Sequence, residues 1–430
     1  MLIAPLRARE FSRLDRTGHV YLDYTGSALY PASLVRRHAR LMTDRVLGNP
    51  HSESGPSRAS TAAIETARRL TLELFDADPA VYDVVFTANA SGAIRLLAEA
   101  FPFAAGSRLV LTADNHNSVN GLRVAARRRR AAVVYVPLYE DLRAADPGTL
   151  LRSPKGASLF AFPAQSNFSG VRHPLAWAAD AQRRGYRVLV DAAAYAATSP
   201  LSLAGVPADF VAVSFYKLFG YPTGVGALIA RRDALALLRR GYFGGGTVQF
   251  ASVQNRVAVA RPGAEAFEDG TPNFLAMPAV CDGLRWLRRL NMRAVDGHVS
   301  RLTSRLVERL GRLKDAVQIY GPDGMDERGG TVAFNVRRNA AYLPYEAVEA
   351  EARRRGIAIR GGCFCNPGAA ERAFGFSPAA ARACLRGGFS LTSFRACMGD
   401  RPVGALRASI GVPTTVADVD RLIEFVESLA

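Results

Sequence analysis

No stretch of this sequence approaches the roughly 20 consecutive apolar residues that a membrane-spanning helix needs. The N-terminus, MLIAPLRAREFSRLDR, has Leu and Ile only ahead of its charges, and it lacks the apolar segment and small-residue cleavage site of a secretory leader. Together these absences point to a cytoplasmic protein without a membrane partner. Cysteine is scarce: Cys281, Cys363, Cys365, Cys384 and Cys397 make an odd set of five in 430 residues. A chain this large does not depend on disulfide staples, so they read as reduced thiols, with Cys281, Cys384 and Cys397 as small buried hydrophobes. Cys363 and Cys365 stand two apart in RGGCFCNPG, without the second cysteine pair or the His pair of a structural zinc site, so no metal is expected. Acidic residues are in deficit, 38 against 55 Lys and Arg, for a net charge of +17. Arginine supplies nearly all of that charge, including the run Arg127 to Arg130. A basic surface attracts anions, but these arginines are scattered along helices with apolar opposite faces. No aromatic residues interleave with them, so nucleic acid is not an expected partner.

What the sequence does have is apolar material, 49% of the chain, enough for a large core and more than one domain. Residues 58–76 space Ala, Ile, Leu and Phe three and four apart, as an amphipathic helix does. Short apolar runs then recur: DVVFT (83–87), RLVLT (108–112), AVVYVPL (132–138), SLFAFP (158–163), RVLVD (187–191), DFVAVSF (209–215) and VGALIA (225–230). Helical stretches such as SGAIRLLAEAF separate most of them, which predicts an α/β fold with a mostly parallel seven-stranded sheet covered on both faces. From about residue 276 the texture becomes that of a smaller α+β C-terminal domain, entered by one long helix beginning near Met277. The expected division is an N-terminal segment (1–20) packing with the small domain, a large domain (21–275) and the small domain (276–430).

In an open α/β sheet a ligand sits beyond the carboxyl ends of the strands, and the residues there are polar in a consistent way. Ala90-Ser91-Gly92 opens a helix straight after a strand, where backbone N–H groups and a hydroxyl suit a phosphate. Asp191 ends a strand and could keep a pyridinium nitrogen protonated. Lys217, in SFYKLFG, is flanked by aromatics that would desolvate its amine and lower its pKa, as a carbonyl cofactor requires. His116, Asn167 and Ser214 follow other strands. Each alone is commonplace, a helix cap or a turn residue; the ordered set is not.

On YLDYTGSALY, NPHSESGPS, VVFTANASGA, DNHNSV, FAFPAQSNFSG, VLVDAAAY, SFYKLFGYPTG, FEDGTPNF, RGGCFCNPG and VGALRASIG, the chain resembles the aminotransferase class V, cysteine desulfurase-like family. Within it, the resemblance is to the N-terminal pyridoxal-phosphate domain of the molybdenum cofactor sulfurases, over almost the whole chain. The resemblance implies the PLP-dependent transferase fold type I, pyridoxal 5'-phosphate as cofactor and Lys217 as its Schiff-base lysine. Asp191 would pair with the pyridine nitrogen, His116 would stack on the ring, and Asn167 would lie near the phenolic oxygen. Ala90, Ser91 and Ser214 would hold the phosphate, helped by Thr271 from the neighbouring subunit of a homodimer. Arg360 and Arg407 would grip the substrate carboxylate, with His51 near the substrate. Cys365 would take sulfur from L-cysteine, bound as an external aldimine, as a persulfide. Alanine would be left, and the sulfur would pass to an acceptor protein or small molecule. Arg360 would favour the thiolate, and the Gly- and Pro-rich loop would leave Cys365 mobile. Cys363 is read as a loop residue, with a resolving thiol as the alternative.

Family members often carry Gln three residues after the Asp and His before the Lys; here Ala194 and Tyr216 stand there, as in the sulfurase branch. Asn89 replaces a usual Gly in the phosphate loop, where positive φ would be tolerated by Asn. Eukaryotic sulfurases carry a further C-terminal domain for the molybdenum cofactor, so the acceptor is not written in these residues. The alternatives are a PLP-dependent C–S lyase, aminotransferase or epimerase that does not use Cys365, and a non-catalytic protein that keeps the fold to bind a partner.

Overall fold

The apolar runs become the central sheet of the computed structural model, which describes residues 3–429 apart from 387, 389 and 400. Its strands are β1 (Tyr82–Thr87), β2 (Arg108–Thr112), β3 (Ala132–Val136), β4 (Leu159–Pro163), β5 (Arg187–Asp191), β6 (Phe210–Ser214) and β7 (Gly226–Arg231), in the order β1-β7-β6-β5-β4-β2-β3. Neighbours from β6 through β5, β4 and β2 to β3 are parallel, while β7 runs antiparallel to both β1 and β6. Alternate side chains feed two cores: Val188, Val190, Val211 and Val213 face one, Leu189, Phe210 and Ala212 the other. Both faces are buried, and that is why these strands read as continuous apolar runs rather than alternating ones.

The C-terminal part holds an antiparallel sheet of Val317–Tyr320, Thr331–Arg338, Ala405–Ser409 and Arg360–Gly362, in that order. The N-terminal segment returns to it. Val20–Tyr21 pairs in parallel with Ile357–Ala358, and Arg7 donates to Asp418, in the last helix, at 2.6 Å. Arg328, 1% exposed, donates to the carbonyls of Ser169, Tyr320, Pro322 and Thr331, tying the loop after β4 to this sheet.

Two expectations are corrected, and one element appears that the sequence did not suggest. The single long helix from Met277 is two, Met277–Arg289 and Met292–Gly311. Asn291 breaks it by accepting the Ala294 N–H on its side chain and so capping the second. A hairpin of Val248–Ser252 and Val257–Ala260 was not foreseen; its side chains are mostly exposed, so no burial period marked it. Cys384 and Cys397, read as buried thiols, are bonded to each other across the short helices Pro378–Cys384 and Leu391–Met398, with Cys384 half-buried and Cys397 exposed. Spacing alone does not say which thiols the fold brings together. Cys281 is buried as expected. No helix among the described residues is long and apolar enough to cross a membrane.

Candidate active site

Because β1, β2, β4, β5 and β6 deliver their carboxyl ends to one edge, the residues just beyond them converge. They line a pocket of about 650 Å3 including its open mouth, whose walls include Ala90, Ser91, His116, Asn167, Asp191, Ser214 and Lys217. Lys217 lies in the short helix Phe215–Phe219 that follows β6. Burial lowers its pKa, Asp191 opposes that, and Arg407 adds to it, so the amine loses its proton more readily than a solvated lysine. Asp191 is buried, one oxygen accepting the Ala193 N–H at 3.0 Å.

His116 caps the turn Asn117–Asn120 with Nδ1, which accepts the Ser118 N–H at 3.1 Å, so the proton of the neutral ring is on Nε2. Burial lowers its pKa, Asp191 opposes that, and the charges of Lys217 and Arg407 push the same way as burial. The Ser118 hydroxyl lies 3.0 Å from His116 Nδ1 and 2.6 Å from the Ser91 hydroxyl. Ser91 stands in the first turn of the helix Ala90–Ala100, whose Ala90 N–H donates to Ser214 Oγ at 2.8 Å. Asn89 is extended (φ −176°) and caps this helix by accepting the Gly92 N–H at 2.9 Å. The replacement for Gly therefore acts as a cap, and no left-handed turn is needed. The Ser91, Ser118 and Ser214 hydroxyls and the positive end of a helix dipole meet here, the chemistry that holds a phosphate dianion.

The cysteine loop is pinned rather than mobile. Asn167 Nδ2 donates to Phe364 O at 2.7 Å and the Asn117 N–H to Cys365 O at 2.7 Å. Asn366 Nδ2 reaches both Asp114 O (2.6 Å) and Asn167 Oδ1 (2.9 Å). Phe364 and Cys365 are both left-handed, at φ 55°, a strained conformation for residues with side chains. Cys363 and Cys365 are both exposed. Arg360 does not serve the Cys365 thiol: it donates to both oxygens of Asp23, Nη2 to Oδ2 at 2.6 Å. Arg407, 2% exposed, donates to Asp23 Oδ1 at 2.9 Å and to Asn167 O at 3.0 Å.

His51 and Thr271 are not brought to this pocket within one chain; both are exposed, with Thr271 near the Asn49 amide at 3.3 Å. The sequence reading missed Asp23, Ser118, Gln165 and Asn366. Gln165 could have been found, since it lies two residues past β4 among other polar post-strand positions. It lines the pocket beside Ala194, whose carbonyl it contacts at 3.3 Å, and its Oε1 is buried without a partner.

A family model described as aminotransferase class-V matches residues 20–422. The chain belongs to that family. Its relatives include the molybdenum cofactor sulfurase of Arabidopsis thaliana, 35% identical over 99% of this chain and 58% of that protein. That of Bos taurus is 36% identical over 98% and 51%. The chain thus spans little more than half the length of these relatives. Two solved members of the fold are the apo cysteine desulfurase from Thermococcus onnurineus (TM-score 0.84, 24% identity, 99% of this chain and 97% of that one) and the cysteine desulfurase CsdA from Escherichia coli (0.79, 23%, 100% and 98%). They establish the fold type expected from sequence.

Proposed function

We propose that this family member is a pyridoxal-phosphate enzyme that removes sulfur from L-cysteine with Lys217 as its Schiff-base lysine and Cys365 as first acceptor. The observation that carries the reading is the pocket itself. A desolvated lysine, a strand-end carboxylate, a neutral histidine and a hydroxyl-ringed helix start face one another beyond the strand ends. The residues fit the cofactor: Ala90, Ser91 and Ser214 for its phosphate, Asp191 for its ring nitrogen, His116 for its ring face and Asn167 for its phenolic oxygen. Asn167 keeps one N–H to donate there, whereas the Gln165 amide nitrogen is on Ala194 O and Thr331 Oγ1. When bound, the group supplies an electron sink that makes a substrate's Cα–H acidic and its sulfur transferable.

The chain's own part follows from the site. Lys217, held short of protons by burial, is the group to take the Cα proton, and Arg407 orients the substrate carboxylate, with Arg360 beside it across Asp23. Cys365 Sγ attacks the substrate sulfur, forming an S–S bond as the C–S bond breaks; the electron pair returns to the substrate carbon and a proton yields alanine. The persulfide is then passed on, and given the relatives' names we propose a molybdenum cofactor, held by a partner, as acceptor. A homodimer, with Thr271 reaching the partner's phosphate site, is part of the reading. The exposed hairpin side chains Phe250, Val253, Val257 and Val259 supply an apolar surface for a second copy.

The test is a spectrum and a product. With pyridoxal phosphate the protein should absorb near about 400–430 nm, Lys217→Ala should not, and L-cysteine should yield alanine with a 32 Da mass gain on Cys365, the roughly one sulfur atom of a persulfide. Loss of alanine with continued release of pyruvate and sulfide by Cys365→Ala would transfer the case to a C–S lyase. A missing band in the parent protein would leave a non-catalytic fold.

A further inference from the structure

The YLDYTG motif places a carboxylate where the proposed function needs an empty one. Asp23 is clamped by its backbone: Leu22 N donates to Ala358 O, Ser409 N to Leu22 O, and Thr25 N to Ser409 Oγ. The chain then turns back, with the N–H groups of Gly26 and Ser27 both donating to Asp23 O. The side chain is left to face Arg360 and Arg407, and both its oxygens are taken by them, at 2.6 to 3.1 Å.

This contact is built rather than incidental. A Cβ on Gly26 would sit 2.6 and 2.7 Å from the two Asp23 oxygens and 2.8 Å from Arg360 Nη2, so glycine is what lets the carboxylate lie against the guanidinium. Arg407 is meanwhile engaged on both Nη atoms. Nη1 is on Asn167 O, Nη2 on Asp23, and the Phe364 ring covers its guanidinium at 4.7 Å. Nε is buried with no partner, the mark of a donor whose ligand is missing. Neither arginine lines the space above Lys217.

We propose that Asp23 is an internal stand-in for the substrate carboxylate, which the incoming amino acid must displace from Arg407 while Arg360 keeps its hold on Asp23. The inference rests on the reading that these arginines receive a carboxylate. The exchange is charge-neutral at Arg407, and the trio of two guanidiniums and one carboxylate keeps a net single positive charge, matched to one substrate carboxylate and no more. Asp23 thereby sets substrate affinity: each molecule bound must outcompete a carboxylate held at the high effective concentration of an intramolecular group. It is a positioning and specificity-determining residue, not a catalytic one.

The probe is 3-(methylsulfanyl)propionate, a cysteine-sized carboxylate without an amine, titrated calorimetrically into the cofactor-loaded protein. In Asp23→Asn, which keeps the shape and removes the charge, binding should tighten about tenfold, the scale of one charge-assisted hydrogen bond no longer contested. Gly26→Ala, whose Cβ crowds both Asp23 oxygens and so pushes the carboxylate off Arg407 as well as Arg360, should shift affinity the same way and carries the test if Asp23→Asn does not fold. In turnover, the KM for L-cysteine should fall more than kcat changes. Equal or weaker probe binding in the variants overturns the proposal. If the parent protein makes no alanine from L-cysteine, the desulfurase reading falls, while the calorimetric comparison still decides the role of Asp23.

Discussion

At Lys217 the fold spends stability on chemistry. An amine whose folded pKa is lowered binds fewer protons than its unfolded counterpart at 10.5, so its contribution to stability falls as pH drops through that window and is a net cost at neutrality. Lys217→Met should therefore raise the thermal midpoint of the cofactor-free protein at pH 7 while abolishing the absorbance band. His116 obeys the same sign. Its folded pKa lies below 6.5, so the unfolded chain takes up a proton first and stability declines as pH falls below that value. His116→Gln should flatten the decline in denaturation midpoints measured from pH 7 downward. Lysine itself is rare here, three residues (Lys155, Lys217 and Lys314) among 55 basic ones, and one of the three is the buried one. That contrast was available in the sequence as a pointer.

Among the elements, the cysteine loop shows how position is enforced. Two consecutive left-handed residues are sustained because Asn366, Asn167 and Asn117 clamp the backbone on either side. Asn366→Ala would strand Asp114 O and Asn167 Oδ1 without their donor, at a cost of about 1–3 kcal/mol. It should slow persulfide formation on Cys365 by tenfold or more, about the cost of one lost orienting contact, while the absorbance band stays. Stopped-flow mass analysis of Cys365 against the intact spectrum separates the two effects. The Cys384–Cys397 bond lies in a peripheral helix pair. Reduction should loosen that pair locally, seen as faster amide exchange over Pro378–Cys384 and Leu391–Met398, without shifting the global unfolding transition.

For the whole molecule, Arg328 is a keystone between the loop after β4 and the small sheet. Burial holds its pKa down to about 10, and four carbonyls depend on it. Arg328→Met should cost about 3 kcal/mol or more by leaving them unpaired, measured by denaturant unfolding. The apolar hairpin makes a matching prediction for the proposed homodimer: the parent protein should scatter light as a dimer, and Phe250→Asp with Val259→Asp as a monomer.

The strands β2 and β5 were legible to the residue because they are buried on both faces, and burial on both faces writes itself as an uninterrupted apolar run. Lys217, Asp191, His116 and Ser214 were legible for a related reason: a parallel sheet sends the ends of its strands to one edge, so positions known along the chain become neighbours in space. Asp23 was not, since its partners lie 337 and 384 residues away, and no local pattern encodes which carboxylate a distant arginine will meet. The pairing of Cys384 with Cys397, the break at Asn291 and the pinning of Cys365 fall on the same side. Period and burial are properties of short segments and travel with the sequence. Hydrogen-bond and charge partners are chosen only when packing brings remote segments within about 3 Å, and that choice belonged to the tertiary structure.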